Sequence, residues 1–280
     1  MDLKGIIKVL TDRYEANHES IQLPAPYAVP LLAEPSDKQL NWLKEGDGNP
    51  IAEMHQINSS AGLAFNYYKL FESEKQKECQ DFEVQFENKV AKPLRLKNNG
   101  GKYANLDVSY RLGDTQYYIE SKFLEPYYSK CKPNTCSYHN KDKQGGEVDN
   151  YGFPEETAKW LKFLEHENEF QYYDFPQLYR HLLAIRRKHD KSGKVVLQSV
   201  SWEMTNAFKT EYGLKQADKD LLERLEQEQS NACTLFNDFL KKIGWTDCRF
   251  EVKHYNDKDM LNNIQGAEKF DDFRKQYFFD

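Results

Sequence analysis

Period-two alternation dominates the middle of the chain. Leu106, Val108, Tyr110 and Leu112 alternate with Asp107, Ser109 and Arg111, the pattern of a half-buried strand. Gly113-Asp114 interrupts the run and Tyr117 to Phe123 resumes it, so 103–112 and 116–124 read as two strands joined by a tight turn. Asp81 to Leu96 also alternates, and Asn98-Asn99-Gly100-Gly101 marks a turn into the next strand. The expected arrangement of these three strands is an antiparallel meander.

Helical spacing flanks the meander. Residues 1–18 carry an apolar stripe, Ser36-Asp37 can cap a short helix through Leu43, and a long helical pattern runs from Ile51 to about Glu74. Between the first two, Leu23 to Pro35 is too proline-rich for a helix or a central strand and reads as an extended wrap. After a loop-like stretch from Pro126 to Pro154, Phe175–His189 is an amphipathic helix with Pro176 in its first turn. Val195-Val196-Leu197 then opens a strand over 194–202 whose continuous apolar start marks burial on both faces. Helices over 217–242 and 257–277, with a short strand at 249–254 between them, complete the prediction. The order α-β-β-β-α-β predicts one α/β (α+β) domain over 1–280, with a central mixed sheet flanked by helices. Its core spans about 51–204, the helix and wrap of 1–50 precede it, and a helical extension of 205–280 follows.

The phase of the second strand supplies the chemistry. Ile119, Ser121 and Phe123 share one face, and Tyr118, Glu120, Lys122 and Leu124 share the other. If the two strands pair, Asp107 can face Glu120. Two carboxylates and a lysine converging on one sheet face are costly unless a cation joins them. Mg²⁺, with Mn²⁺ as a substitute, prefers one or two carboxylates plus waters. Asp107 and Glu120 are therefore candidate ligands, with the Ser121 backbone carbonyl as a third. Lys122 would orient an attacking water, lower its pKa or neutralise developing charge. The competing reading is that Glu120 and Lys122 form an ordinary surface ion pair.

Composition narrows the picture. A net charge of −6 does not describe a general polyanion binder. Its basic residues are nevertheless clustered: Lys89, Lys92, Arg95, Lys97 and Lys102 form a run free of acids, and Arg186-Arg187-Lys188 form a second. Either run could meet phosphates or be a solvated face. Five scattered cysteines fit a reducing cytoplasm better than a disulfide framework. Cys131, Cys136 and His139 are spaced C-x4-C-x2-H, but no second short-spaced pair follows, so incidental loop thiols are favoured over zinc. No apolar run approaches the roughly twenty residues of a membrane span, and the mean hydropathy of −0.87 is that of a soluble protein.

Asp107, twelve residues, then Glu120-Ser121-Lys122 resembles the D-x(n)-(D/E)-x-K signature of the PD-(D/E)XK nuclease superfamily. Leu106 stands where that signature has proline. The α-β-β-β-α-β order is similar to the superfamily's restriction-endonuclease-like core. Gln177-x-x-x-His181 resembles the Q-x-x-x-Y/H feature of lambda-exonuclease-like and RecB-like members. The run from His55 to Asn66 is similar to the first helix of a group of bacterial proteins assigned as restriction endonucleases. The resemblance implies a Mg²⁺-dependent deoxyribonuclease, restriction-type or a repair or recombination exonuclease, with duplex DNA as partner and a homodimer allowed. It brings in Glu87 as a further metal ligand, in competition with Glu83, Glu72 and Glu53. It also gives Gln177 and His181 roles in binding phosphate or supporting the attacking water. A non-cleaving nucleic-acid-binding protein on the same fold is the alternative.

Overall fold

A computed structural model describes residues 1–17, 29–45, 50–93, 103–131 and 151–278. The chain runs α1 (Leu3–Asn17), α2 (Asp37–Glu45), α3 (Pro50–Glu53), α4 (Ser60–Gln76), β1 (Val84–Lys89), β2 (Asn105–Leu112), β3 (Thr115–Lys122) and α5 (Glu125–Tyr128). It continues through α6 (Thr157–Leu164), a 3₁₀ turn (Glu165–Glu169), α7 (Phe175–His189), β4 (Lys194–Ser201), α8 (Asn206–Tyr212), α9 (Gln216–Lys242), β5 (Cys248–His254), α10 (Lys258–Asn262) and α11 (Phe270–Tyr277).

Among the described residues the strands form one five-stranded mixed sheet in the order β1-β2-β3-β4-β5. The expected meander is present: β1 pairs antiparallel with β2, and β2 with β3 across the Gly113-Asp114 turn. Gly113 has φ +60°, the left-handed conformation that a tight hairpin asks of its first turn residue. After the crossover through α6 and α7, β4 lies parallel to β3, and β5 lies parallel to β4. The segment after 205 thus contributes a strand to the sheet as well as helices.

Helices cover both faces. On one, α4 packs Phe65 onto Phe86 and Phe71 onto Tyr110, each with ring centroids 5.0 Å apart. On the other, α6, α7 and α9 share an aromatic layer: Phe163 stacks on Phe239 at 4.1 Å, and Phe236 stacks on Phe250 of β5 at 4.5 Å. Aromatic pairs of this kind add about 0.5–1.5 kcal/mol beyond the area they bury.

Three elements differ from expectation. The helix expected over 51–74 is broken, because the Ser59 side chain caps α4 by accepting from the Gly62 N–H at 3.1 Å. The preceding chain folds back so closely that a Cβ at Gly62 would lie 2.2 Å from the Met54 carbonyl oxygen. β1 is shorter than 81–96 and holds Glu87 at φ +52°, a conformation that β-strand periodicity does not foresee. The terminal helix is divided into α10 and α11, since the stretch between them docks on the end of α4, where Lys77 Nζ donates to the Gly266 carbonyl at 2.9 Å.

Candidate active site

The site forms where β2 and β3 diverge. Regular pairing runs from Leu112–Thr115 to Val108–Ile119. One step further, the Asp107 side chain takes over, its Oδ2 accepting the Ser121 N–H at 2.6 Å. Asp107 therefore sits on the same face as Glu120 and Lys122, and its carboxylate does the work of a ladder hydrogen bond.

Glu120 is 2% exposed and lies between two basic side chains. Lys122 Nζ lies 2.8 Å from Oε1, and His181 Nε2 of α7 lies 2.9 Å from Oε2. The histidine approach is off the line of a hydrogen bond: Glu120 Oε2 and both His181 ring nitrogens are buried without a hydrogen-bond partner. Buried polar atoms left this way cost about 1–3 kcal/mol each and call for an explanation. His181 reaches the sheet because α7 starts at a defined point, with the Asp174 side chain accepting the Gln177 N–H at 3.1 Å and Pro176 in the first turn. Gln177, one turn before His181, lines the cleft above Glu120 and Lys122.

The electrostatics is divided between the two carboxylates. Burial, followed by the charges of Glu120 and Glu87, pushes the Asp107 carboxyl well above the usual carboxylate range, despite Lys122 and the Ser121 N–H. Burial opposes ionisation of Glu120 as well, but Lys122 and then His181 more than compensate and hold its carboxyl down at about 2. Burial likewise opposes the charge on Lys122, yet Glu120, Asp107 and Glu125 keep its pKa above the ordinary lysine value. Asp107 and Glu120 therefore cannot both ionise easily on this face with Lys122 as the counter-charge between them.

This donor set fits a hard divalent cation. Among the described residues, no three His, Cys, Asp or Glu side chains gather closely enough to enclose a metal by themselves. Two carboxylates and a backbone carbonyl, with Glu120 on the wall of the cleft, are ligands of the kind Mg²⁺ takes. Glu87 falls between the paired steps Phe86–Val108 and Asn88–Leu106 of the β1–β2 ladder, accepts from the Asn105 side-chain amide, and its charge reaches Asp107. Ser121 turns its hydroxyl to the other face of the sheet, 2.7 Å from the Tyr255 hydroxyl.

The basic residues are distributed unevenly. Lys89 is exposed at the end of β1, with Nζ 3.7 Å from Glu45. Arg187 donates to the Lys92 carbonyl at 2.9 Å, which brings the two basic runs together beside β1. Lys188 stays exposed, 5.5 Å from the Tyr118 ring centroid. Arg186 is different: it is buried, with Nη2 3.0 Å from Glu156 and Nη1 2.9 Å from Asp190. Its donors are committed to buried Glu156 and exposed Asp190, and the guanidinium itself is buried away from any approaching phosphate. Arg95, Lys97 and Lys102, and Cys136 and His139, lie outside the described residues. Cys131 is half-buried, and burial followed by Asp174 pushes its thiol up to about 12.

Some residues that shape the cleft are not singled out by sequence reasoning. In the parallel β3–β4 register Glu120 pairs with Ser199 and Lys122 with Ser201. The two serines, two apart on the face of β4 that otherwise carries Val195 and Leu197, are the available signal. Gln229 and Tyr173 join them as cleft-lining residues from α9 and the loop before α7.

A mixed five-stranded sheet covered by helices on both faces, with two carboxylates and a lysine at the divergence of β2 and β3, defines a restriction-endonuclease-like α/β protein. Comparison with protein families agrees. The chain belongs to the family described as Restriction Endonuclease associating with ARP, which matches residues 21–243, and so stands among restriction-endonuclease-like nucleases. Curated proteins and solved structures give no match. Among the described residues no helix is long and apolar enough to cross a membrane.

Proposed function

We propose that the chain is a Mg²⁺-dependent nuclease of the PD-(D/E)XK kind that hydrolyses phosphodiester bonds in DNA. The observation that carries this reading is Glu120, buried between Lys122 and His181 and sharing its sheet face with the second, crowded carboxyl of Asp107. Asp107, Glu120 and the Ser121 carbonyl would hold the ion, with Glu87 adding charge next to Asp107. Bound Mg²⁺ supplies charge neutralisation at the phosphoryl oxygens and makes water a competent nucleophile near neutral pH.

The chain's own groups do the rest. Lys122 remains cationic, so it acts as a donor that orients the attacking water and offsets charge growing on the phosphate. His181 fixes the orientation of Glu120, and Gln177 presents an amide to the cleft one helical turn away. Lys89, Lys92 and Arg187, at the β1 edge, would contact phosphates flanking the scissile bond and position the strand without reading its sequence.

The test is cleavage of DNA in Mg²⁺ and in EDTA. Wild type should nick or degrade DNA only in Mg²⁺, and Lys122→Ala should still bind DNA while cleaving at least a hundredfold more slowly. Binding by wild type without hydrolysis of single-stranded, duplex or branched DNA would make the chain a binding protein instead.

A further inference from the structure

The cleft over Glu120 continues sideways across β4, beyond the carboxylates. It encloses about 420 Å³. Along the same face of β4, Val195 and Leu197 are apolar, whereas Ser199 and Ser201 are polar at the steps that pair with Glu120 and Lys122. All four are buried, so the change is not one of exposure. It coincides with the cleft floor.

Buried polar groups persist where something hydrogen-bonds them. Part of the need is met internally: Gln229 Nε2 donates to Ser201 Oγ at 3.3 Å, and Ser201 Oγ lies 3.0 Å from His254 Nδ1. Part is not. The Tyr173 hydroxyl, on a residue 5% exposed that lines the cleft, faces Ser199 but makes no hydrogen bond of normal geometry. At the mouth stand two more aromatic rings: Tyr172, half-buried, and Tyr128, 41% exposed. Hydroxyls and an amide that can both donate and accept, on the floor below exposed aromatic edges, suit a planar heterocycle with a mixed hydrogen-bonding rim.

We infer that this extension of the cleft receives one unpaired nucleotide of the substrate, its base read by Ser199, Gln229 and Tyr173 and flanked by Tyr172 and Tyr128. The inference rests on the nuclease reading. The cleft as a whole, its carboxylate end included, lies in the range of about 300–1,000 Å³ that holds one small ligand. A paired duplex cannot enter it. A base can do so only as part of a single strand, at an unpaired position, or after extrusion from a duplex at a cost of a few kcal/mol.

The experiment is fluorescence anisotropy in EDTA at fixed salt, with three labelled DNAs of one length: a single strand, a duplex with one unpaired nucleotide, and a fully paired duplex. The two DNAs with unpaired nucleotides should bind at least tenfold more tightly than the paired duplex. Tyr172→Ala should weaken those two by roughly fivefold to a hundredfold and leave the paired duplex unchanged, while Tyr172→Phe restores binding. Tyr173→Phe, which keeps the ring and removes the hydroxyl beside Ser199, should weaken them by about two- to tenfold. Equal affinity for all three DNAs, or a Tyr172→Ala loss shared equally by them, would overturn the inference. Failure of the nuclease reading shows separately, as absence of Mg²⁺-dependent cleavage by wild type.

Discussion

Replacing Asp107 by Asn should stabilise the metal-free protein. The amide keeps an oxygen to accept the Ser121 N–H, now at 2.6 Å from Oδ2, so the contact that joins β2 to β3 survives. What disappears is a charge that burial, Glu120 and Glu87 all disfavour. The sign follows from linkage. Below the ordinary value of 3.8 both the folded and unfolded wild type hold the proton. As pH rises, the unfolded chain ionises first, so wild type loses about 1.4 kcal/mol of stability per pH unit relative to the variant. The loss continues until folded Asp107 itself ionises at its raised pKa. For a domain of this size that is roughly 3–5 °C in melting temperature per pH unit. Mn²⁺ should reverse the order: at a hundredfold excess over Kd, binding adds about 2.7 kcal/mol to wild type and little to Asp107→Asn. Differential scanning calorimetry from pH 4 to 8, in EDTA and in Mn²⁺, measures both effects. A variant no more stable than wild type at pH 8 in EDTA, or one that Mn²⁺ stabilises equally, would refute the reasoning.

Three further outcomes are expected. Lys122→Met should destabilise the metal-free fold by about 3–5 kcal/mol, because it leaves Glu120 buried without its main counter-charge; urea denaturation in EDTA measures it. Glu228→Ala should cost about 3 kcal/mol or more by the same measure. The Glu228 carboxylate is buried and accepts the N–H groups of Gln171, Tyr172 and Tyr173 at 3.0, 2.8 and 2.9 Å, and each orphaned group is worth about 1–3 kcal/mol. Replacing Lys92, Arg95 and Lys97 together by Gln should weaken binding to all DNA sequences alike. It should also lower the log–log salt slope by about 0.9 per lost phosphate contact, read from affinities across a salt series.

Local signals carried the sheet and the carboxylate pair. Alternation around Gly113-Asp114 specifies the β2–β3 hairpin and the phase that puts Asp107 beside Glu120, because both depend on neighbours in sequence. Pro176 and the apolar stripe of α7 likewise specify that helix. What escaped depends on distant neighbours. The contact of His181 with Glu120 requires the crossover that lays α7 on β3. Ser199 and Ser201 become cleft floor only in the parallel register of β4. Arg186 has the sequence context of a surface cation, yet Glu156, thirty residues away, draws it inside. The break before α4 comes from the Met54 carbonyl lying against Gly62, and helical spacing over 51–74 contains no trace of that approach.

The most direct measurement is a crystal grown with Mn²⁺ and examined for anomalous scattering. The account predicts a peak between Asp107 and Glu120, within ligand distance of both carboxylates and of the Ser121 carbonyl. A map with no peak there, with Glu120 still held between Lys122 and His181, would contradict it.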